Sequence, residues 1–280
     1  MSSCSPRVLA CPMPSAPVRR PTSLWAMLLA CALAGCAASD AGRLQRDLST
    51  SSDLTETDRL AQVRLELASG YFARGQSLVA LDEVKRALAA RPDLAPAHEL
   101  RGLIYAQLGE AALAEDSFRR ALQLAPLNAD TMHNFGWFLC QQRRWQDAEG
   151  WMARAIAQPG YRAVQRTALA QGVCQGRAGQ LQRSRDTLTR LMEADPSNPA
   201  VLYPLAEVLF LLGDDVGARE HLQRLGADGD RLNAQVLWLV VKVERRLGDR
   251  AAVQRAAQML LERFPASPQA VWYRGGRFDE

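Results

Sequence analysis

The chain has 280 residues, 48% of them hydrophobic and 23% charged, a balance that supports a folded core and excludes disorder throughout. Aromatic residues make up only 6%; Ala, Leu, Gln and Arg recur while β-branched residues are few, which favours helix over a sandwich or barrel. The formal charge is +4, but residues 1–35 hold Arg7, Arg19 and Arg20 and no acid, so the remainder is near neutral and lacks the electrostatic footprint of a nucleic-acid binder.

Residues 1–35 read as a lipoprotein signal peptide. Arg19-Arg20 precede an apolar run from Leu24 to Ala34, eleven residues long, well short of the roughly 20 that span a bilayer. The run ends in Leu33-Ala34-Gly35-Cys36, which resembles the lipobox of bacterial lipoproteins and implies that the Cys36 sulfur carries the lipid anchor. An ordinary signal cleaved near Ala34, with an incidental Cys, is the alternative. Met13 makes a more typical start than Met1, since Met13 to Cys36 alone has the usual signal length. Ala37 follows the Cys where retention at the inner membrane would call for Asp, so the resemblance implies the outer membrane, facing the periplasm. Residues 36–60 are expected to be the anchored Cys and a tether, because Arg43 to Asp58 is rich in Ser, Thr and Asp and stays solvated.

From residue 61 the chain repeats itself every 34 residues. Ala68, Tyr71, Gly75, Ala80, Val84, Ala87 and Pro92 recur as Gly102, Tyr105, Gly109, Ala114, Phe118, Ala121 and Pro126. Small residues allow two antiparallel helices to cross closely, large ones fill the space beside them, and Pro stops the second helix. This is the tetratricopeptide pattern. A third unit reads Gly136, Leu139, Ala148, Met152 and Ala155, ending at Pro159-Gly160. Fainter units pass through Gly172, Gly179 and Leu188; Ala206, Gly213 and Leu222; and Val241, Gly248 and Leu260. The spacing therefore predicts an all-α right-handed superhelical solenoid of six helix-turn-helix repeats over residues 61–265, with residues 266–280 as a cap or tail.

Motifs of enzyme chemistry are missing from this sequence. It has no phosphate-binding glycine loop, zinc-protease helix or nucleophile elbow, and the three His (His98, His133, His221) fall in three different repeats. His133 and Cys140 share one helical face, with Cys174 as a third candidate ligand, but a zinc site needs four. No metal, cofactor or small-molecule substrate is expected. Cys4, Cys11 and Cys31 leave with the signal and Cys36 is acylated, so Cys140 and Cys174 remain, 34 residues apart on successive first helices. Neighbouring helices pack with axes about 8–10 Å apart, so facing Cα atoms approach to about 4–6 Å, within disulfide reach. In the oxidising periplasm a disulfide is the favoured reading, with two separately buried thiols as the alternative.

In each tetratricopeptide unit the second, fifth, sixth, ninth, twelfth and thirteenth positions of the first helix face the groove. In the third unit these are Asp130, His133, Asn134, Trp137, Cys140 and Gln141. Asn134 and Trp137 on an otherwise solvated face suggest a peptide-contact patch, unless Trp137 merely covers the next helix. Trp145 and Trp151 fall at packing positions. Asn134 and Arg166 match part of the clamp with which some tetratricopeptide proteins hold a peptide C-terminus, but Glu99 and Leu103 stand where its first Lys and Asn belong, so capture of a terminal carboxylate is not expected.

The lipobox, the six units and the stretch Asn134-Phe135-Gly136-Trp137-Phe138-Leu139-Cys140 followed by Arg144-Trp145 and Ala148 together resemble the type IV pilus biogenesis and stability lipoproteins, the pilotins of the pilus secretin. That family often has Asn-Tyr-Gly where this chain has Asn134-Phe135-Gly136. The resemblance implies a non-enzymatic adaptor whose concave groove binds the secretin subunit and promotes its outer-membrane localisation and multimerisation. A tetratricopeptide lipoprotein serving cell-wall enzymes or an envelope export machinery is the alternative.

Overall fold

A computed structural model of the chain describes residues 55–226 and 232–279. The signal peptide, Cys36 and most of the expected tether, up to residue 54, lie outside the described residues. The first helix, α1 (Glu56–Ala73), begins inside the segment assigned to the tether. Its start is set by a capping box in which the Thr55 hydroxyl accepts from the Asp58 N–H and the Asp58 carboxylate accepts from the Thr55 N–H, both at 3.1 Å.

The described residues contain helices and no strand. Helix α1 pairs with α2 (Ser77–Ala90), α3 (Ala95–Gln107) with α4 (Ala111–Leu124), and α5 (Ala129–Gln141) with α6 (Trp145–Ile156). The fainter units give α7 (Val164–Arg177) with α8 (Leu181–Ala194), α9 (Pro199–Leu212) with α10 (Asp215–Gly226), and α11 (Ala234–Leu247) with α12 (Arg250–Arg263). A short α13 (Pro268–Arg274) closes the end, laying Trp272 against Trp238 with ring centroids 6.1 Å apart. Among the described residues no helix is long and apolar enough to cross a membrane.

The small residues sit where the pairs cross. A Cβ on Gly102 would lie 3.0 Å from the Phe118 ring, one on Gly136 2.8 Å from Met152 Cγ, and one on Gly172 2.8 Å from a Leu188 methyl. Phe118, Met152 and Leu188 have no exposed surface. Each thus fills the gap that its glycine leaves, which fixes how closely the two helices approach. The turn inside each pair needs a left-handed residue, and Gly75, Gly109, Gly179, Gly213 and Gly248 supply it. The third pair has Arg143 there instead, at φ 60°, a conformation that a side chain disfavours.

The odd-numbered helices also touch one another from pair to pair, α1 to α3 and onward to α11, whereas no even-numbered helix reaches the next even-numbered one. The odd helices are therefore the closely spaced, inner row and line the concave side. The core runs along the array as overlapping apolar clusters between successive pairs, with no single centre.

Candidate functional site

Helix α5 is the third helix of the inner row, and Asn128 starts it by accepting the Thr131 N–H at 2.9 Å. The expected groove residues of α5 have distinct surroundings. Thr131 Oγ1 and Asn134 Nδ2 both donate to the Glu99 carboxylate of α3, at 2.7 and 2.6 Å. Asp130 is paired with Arg166 of α7 at 2.6 Å. Trp137 is half-buried, with the Arg177 guanidinium 5.1 Å from its ring centroid. Gln141 is exposed at the helix end.

His133 departs from the expectation. Only 9% of its surface is exposed, because Thr167 of α7 packs over it. The His133 Nδ1 and the Thr167 hydroxyl are 2.9 Å apart, and that hydroxyl is 2.8 Å from the Tyr161 hydroxyl. Burial first, then the positive Arg166, pushes its pKa down to about 4. His133 forms part of the wall between α5 and α7 and offers little surface to a ligand. The face around Asn134 is likewise less solvated than the register suggested, since its polar groups are engaged with one another across the inner helices. Glu99 also places a negative charge beside Asn134, which opposes capture of a peptide C-terminal carboxylate.

Cys140 falls at a groove position yet is 1% exposed. It is joined to Cys174 in a disulfide, with Cα atoms 5.8 Å apart, beneath the surface between α5 and α7. Trp151 packs on Phe135 with centroids 5.3 Å apart, and Trp145 rests on the same apolar cluster.

Farther along, the inner row opens into connected depressions that the third-repeat reading passed over. Val173, Tyr203, Pro204 and Leu211 form their floor, and Leu211 is 55% exposed. The Tyr203 hydroxyl donates to Glu207 at 3.1 Å, and burial followed by the Glu207 charge raises its pKa. Lys242 lies 5.4 Å from the Phe210 centroid, and burial lowers its pKa. Arg245 and Arg246 lie over Phe278 and Phe210 at 3.8 and 4.0 Å. Two signals could have pointed here: the same six register positions in α7, α9 and α11, and a proline in the interior of α9. The arrangement offers contact surface and charge; nothing in it pairs a nucleophile with a base.

Tetratricopeptide-repeat families match residues 65–129 and 177–239. The type IV pilus assembly protein PilF of Pseudomonas aeruginosa is 25% identical over 241 residues, covering 86% of this chain and 92% of that one. An uncharacterized protein of Haemophilus influenzae is 25% identical over 148 residues, covering 53% of this chain and 83% of that one. Among solved structures, PilW, described as a widely conserved type IV pilus biogenesis factor, superposes with a TM-score of 0.71 at 27% identity, over 75% of this chain and 96% of that one. Tetratricopeptide signatures in both halves of the array and pilus relatives along most of its length agree: the chain carries tetratricopeptide repeats, a protein-interaction scaffold, and is similar to proteins of type IV pilus biogenesis.

Proposed function

We propose that this protein is a pilotin: a lipoprotein anchored through Cys36 in the outer membrane, facing the periplasm, which holds the pilus secretin subunit in its concave groove and promotes its multimerisation. The observation that carries the reading is the alignment with PilF, which takes in 86% of this chain and 92% of that one and so extends beyond a shared repeat motif. The lipobox Leu33-Ala34-Gly35-Cys36 supports the anchor, and Ala37 supports the outer membrane as its destination. The open inner row of helices supports a protein partner.

The test is a strain lacking the gene, complemented with wild type or with Cys36→Ala, in which secretin multimers are read on denaturing gels and the lipoprotein by membrane fractionation. Wild type restores multimers and sediments with outer membrane and incorporated palmitate. Cys36→Ala is folded but released from the membrane, and multimers fall. Normal multimers in the strain without the gene would refute the pilotin role. In that event a pull-down that recovers cell-wall enzymes or export components would favour the envelope-scaffold reading.

A further inference from the structure

The two ends of the inner row differ in charge. The groove-facing positions of α1, α3 and α5 carry the acids Glu66, Glu99 and Asp130, and no Lys or Arg. Those of α7, α9 and α11 carry Arg166, Arg177, Lys242, Arg245 and Arg246, with Glu207 as their one acid. Arg166 is paired with Asp130, Arg246 with Asp215, and Glu207 with Tyr203. Arg177 and Arg245 instead lie over the rings of Trp137 and Phe278, with no carboxylate partner among the described residues. A guanidinium over a ring keeps its in-plane N–H donors pointing outward, shaped for a carboxylate.

The floor beside Arg177 has an apolar part made by Val173, Pro204 and the exposed Leu211. Pro204 adds a backbone feature. It has no N–H, so the carbonyl of Ala200 lacks its helical donor, and Ala200 and Pro204 line the same two depressions. A backbone carbonyl without its helical donor can accept from the N–H of a docked chain. Successive inner helices stand about 8–10 Å apart, a distance an extended chain covers in about three residues at roughly 3.3 Å each.

We propose that the groove of α7, α9 and α11 receives an extended segment of the partner in which apolar side chains alternate with carboxylates. The apolar side chains lie on Val173, Pro204 and Leu211, the carboxylates reach Arg177 and Arg245, and a backbone N–H meets the Ala200 carbonyl. The proposal rests on the reading above that this face takes a secretin segment, and names that segment's chemistry.

The test uses the full chain carrying Cys36→Ala and fluorescent twelve-residue peptides of alternating Leu and Glu, and of alternating Leu and Lys, read by anisotropy at two salt concentrations. The Glu peptide is expected to bind at least about tenfold tighter than the Lys peptide and to weaken with salt. Arg177→Glu and Leu211→Asp should each weaken the Glu peptide by about tenfold while helical circular dichroism is kept, and Arg177→Lys should retain most of the binding. Equal binding of both peptides would overturn the proposal, as would variants that fold normally and bind unchanged. Binding of a twelve-nucleotide single strand at the Arg177 site in place of the Glu peptide would also overturn it. Peptide binding is measured without secretin, so failure of the pilotin reading shows separately, as normal multimers in the strain without the gene.

Discussion

The inner faces of the two halves use the same helix register for opposite ends. Around α3 and α5, polar side chains satisfy one another: Glu99 takes Thr131 and Asn134, Asp130 takes Arg166, and a disulfide lies beneath. Around α7, α9 and α11, Arg177 and Arg245 lie over the rings of Trp137 and Phe278 beside an exposed Leu211. A groove position therefore becomes a contact surface only if its neighbours leave it unsatisfied. The first region is closed by its own bonds; the second is the one proposed to receive the partner.

The largest effect should come from breaking the closed half. Phe118 has no exposed surface and packs against Phe135 and Phe138 with ring centroids 5.5 and 5.6 Å apart, so Phe118→Ala should cost about 3–5 kcal/mol by chemical denaturation. Leu211→Asp in the open half should stay within about 0.5 kcal/mol of wild type in the same titration. Equal losses at the two sites would erase the distinction.

Next is the disulfide. It closes a loop with a sequence separation of 34, for which chain entropy gives about 3–4 kcal/mol. Reduction, or replacement of Cys140 and Cys174 together by Ser, should lower the unfolding free energy by that amount, read as a lower denaturation midpoint. Two free thiols per chain in protein isolated from cells without reductant would remove this element of the closed half.

A smaller effect of opposite sign is expected at the turn between α5 and α6. Arg143 is held at φ 60° where the other turns have glycine, so Arg143→Gly should stabilise the chain by about 1 kcal/mol. A loss would show that the exposed Arg143 side chain makes up for its backbone.

The pH dependence should be the mildest. His133 has a folded-state pKa of about 4, below the ordinary value of about 6.5. The unfolded chain therefore takes up a proton first as pH falls, and stability declines from about pH 6.5 down to about 4, where the folded ring protonates too. His98 and His221 are shifted the same way, mainly by burial, so His133→Gln should reduce the slope of midpoint against pH in that window without abolishing it. An unchanged slope would place His133 in water.

Much of the repeat register can be read in the sequence because the crossing residues are constrained by size: Gly102 admits Phe118, and Gly136 admits Met152. The approach of Cys140 and Cys174 follows from the same spacing. Side-chain partners across helices are harder to read. Nothing local shows that Glu99 turns towards Asn134, or that Thr167 covers His133, since each pair lies more than thirty residues apart. The start of α1 was hidden by a polar stretch in which Thr55 and Asp58 act as a cap. The open half is harder to read because its repeats depart from the pattern, and Pro204 inside a helix is its one local mark.

The most direct test of the central claim is site-specific photo-crosslinking in living cells, with the crosslinker at Leu211 on the open inner face, at Gln141 at the end of α5, and at the exposed Leu113 on α4 of the outer row. A secretin adduct from Leu211, a weaker one from Gln141 and none from Leu113 is the predicted result. A secretin adduct from Leu113 with none from Leu211 would contradict the account.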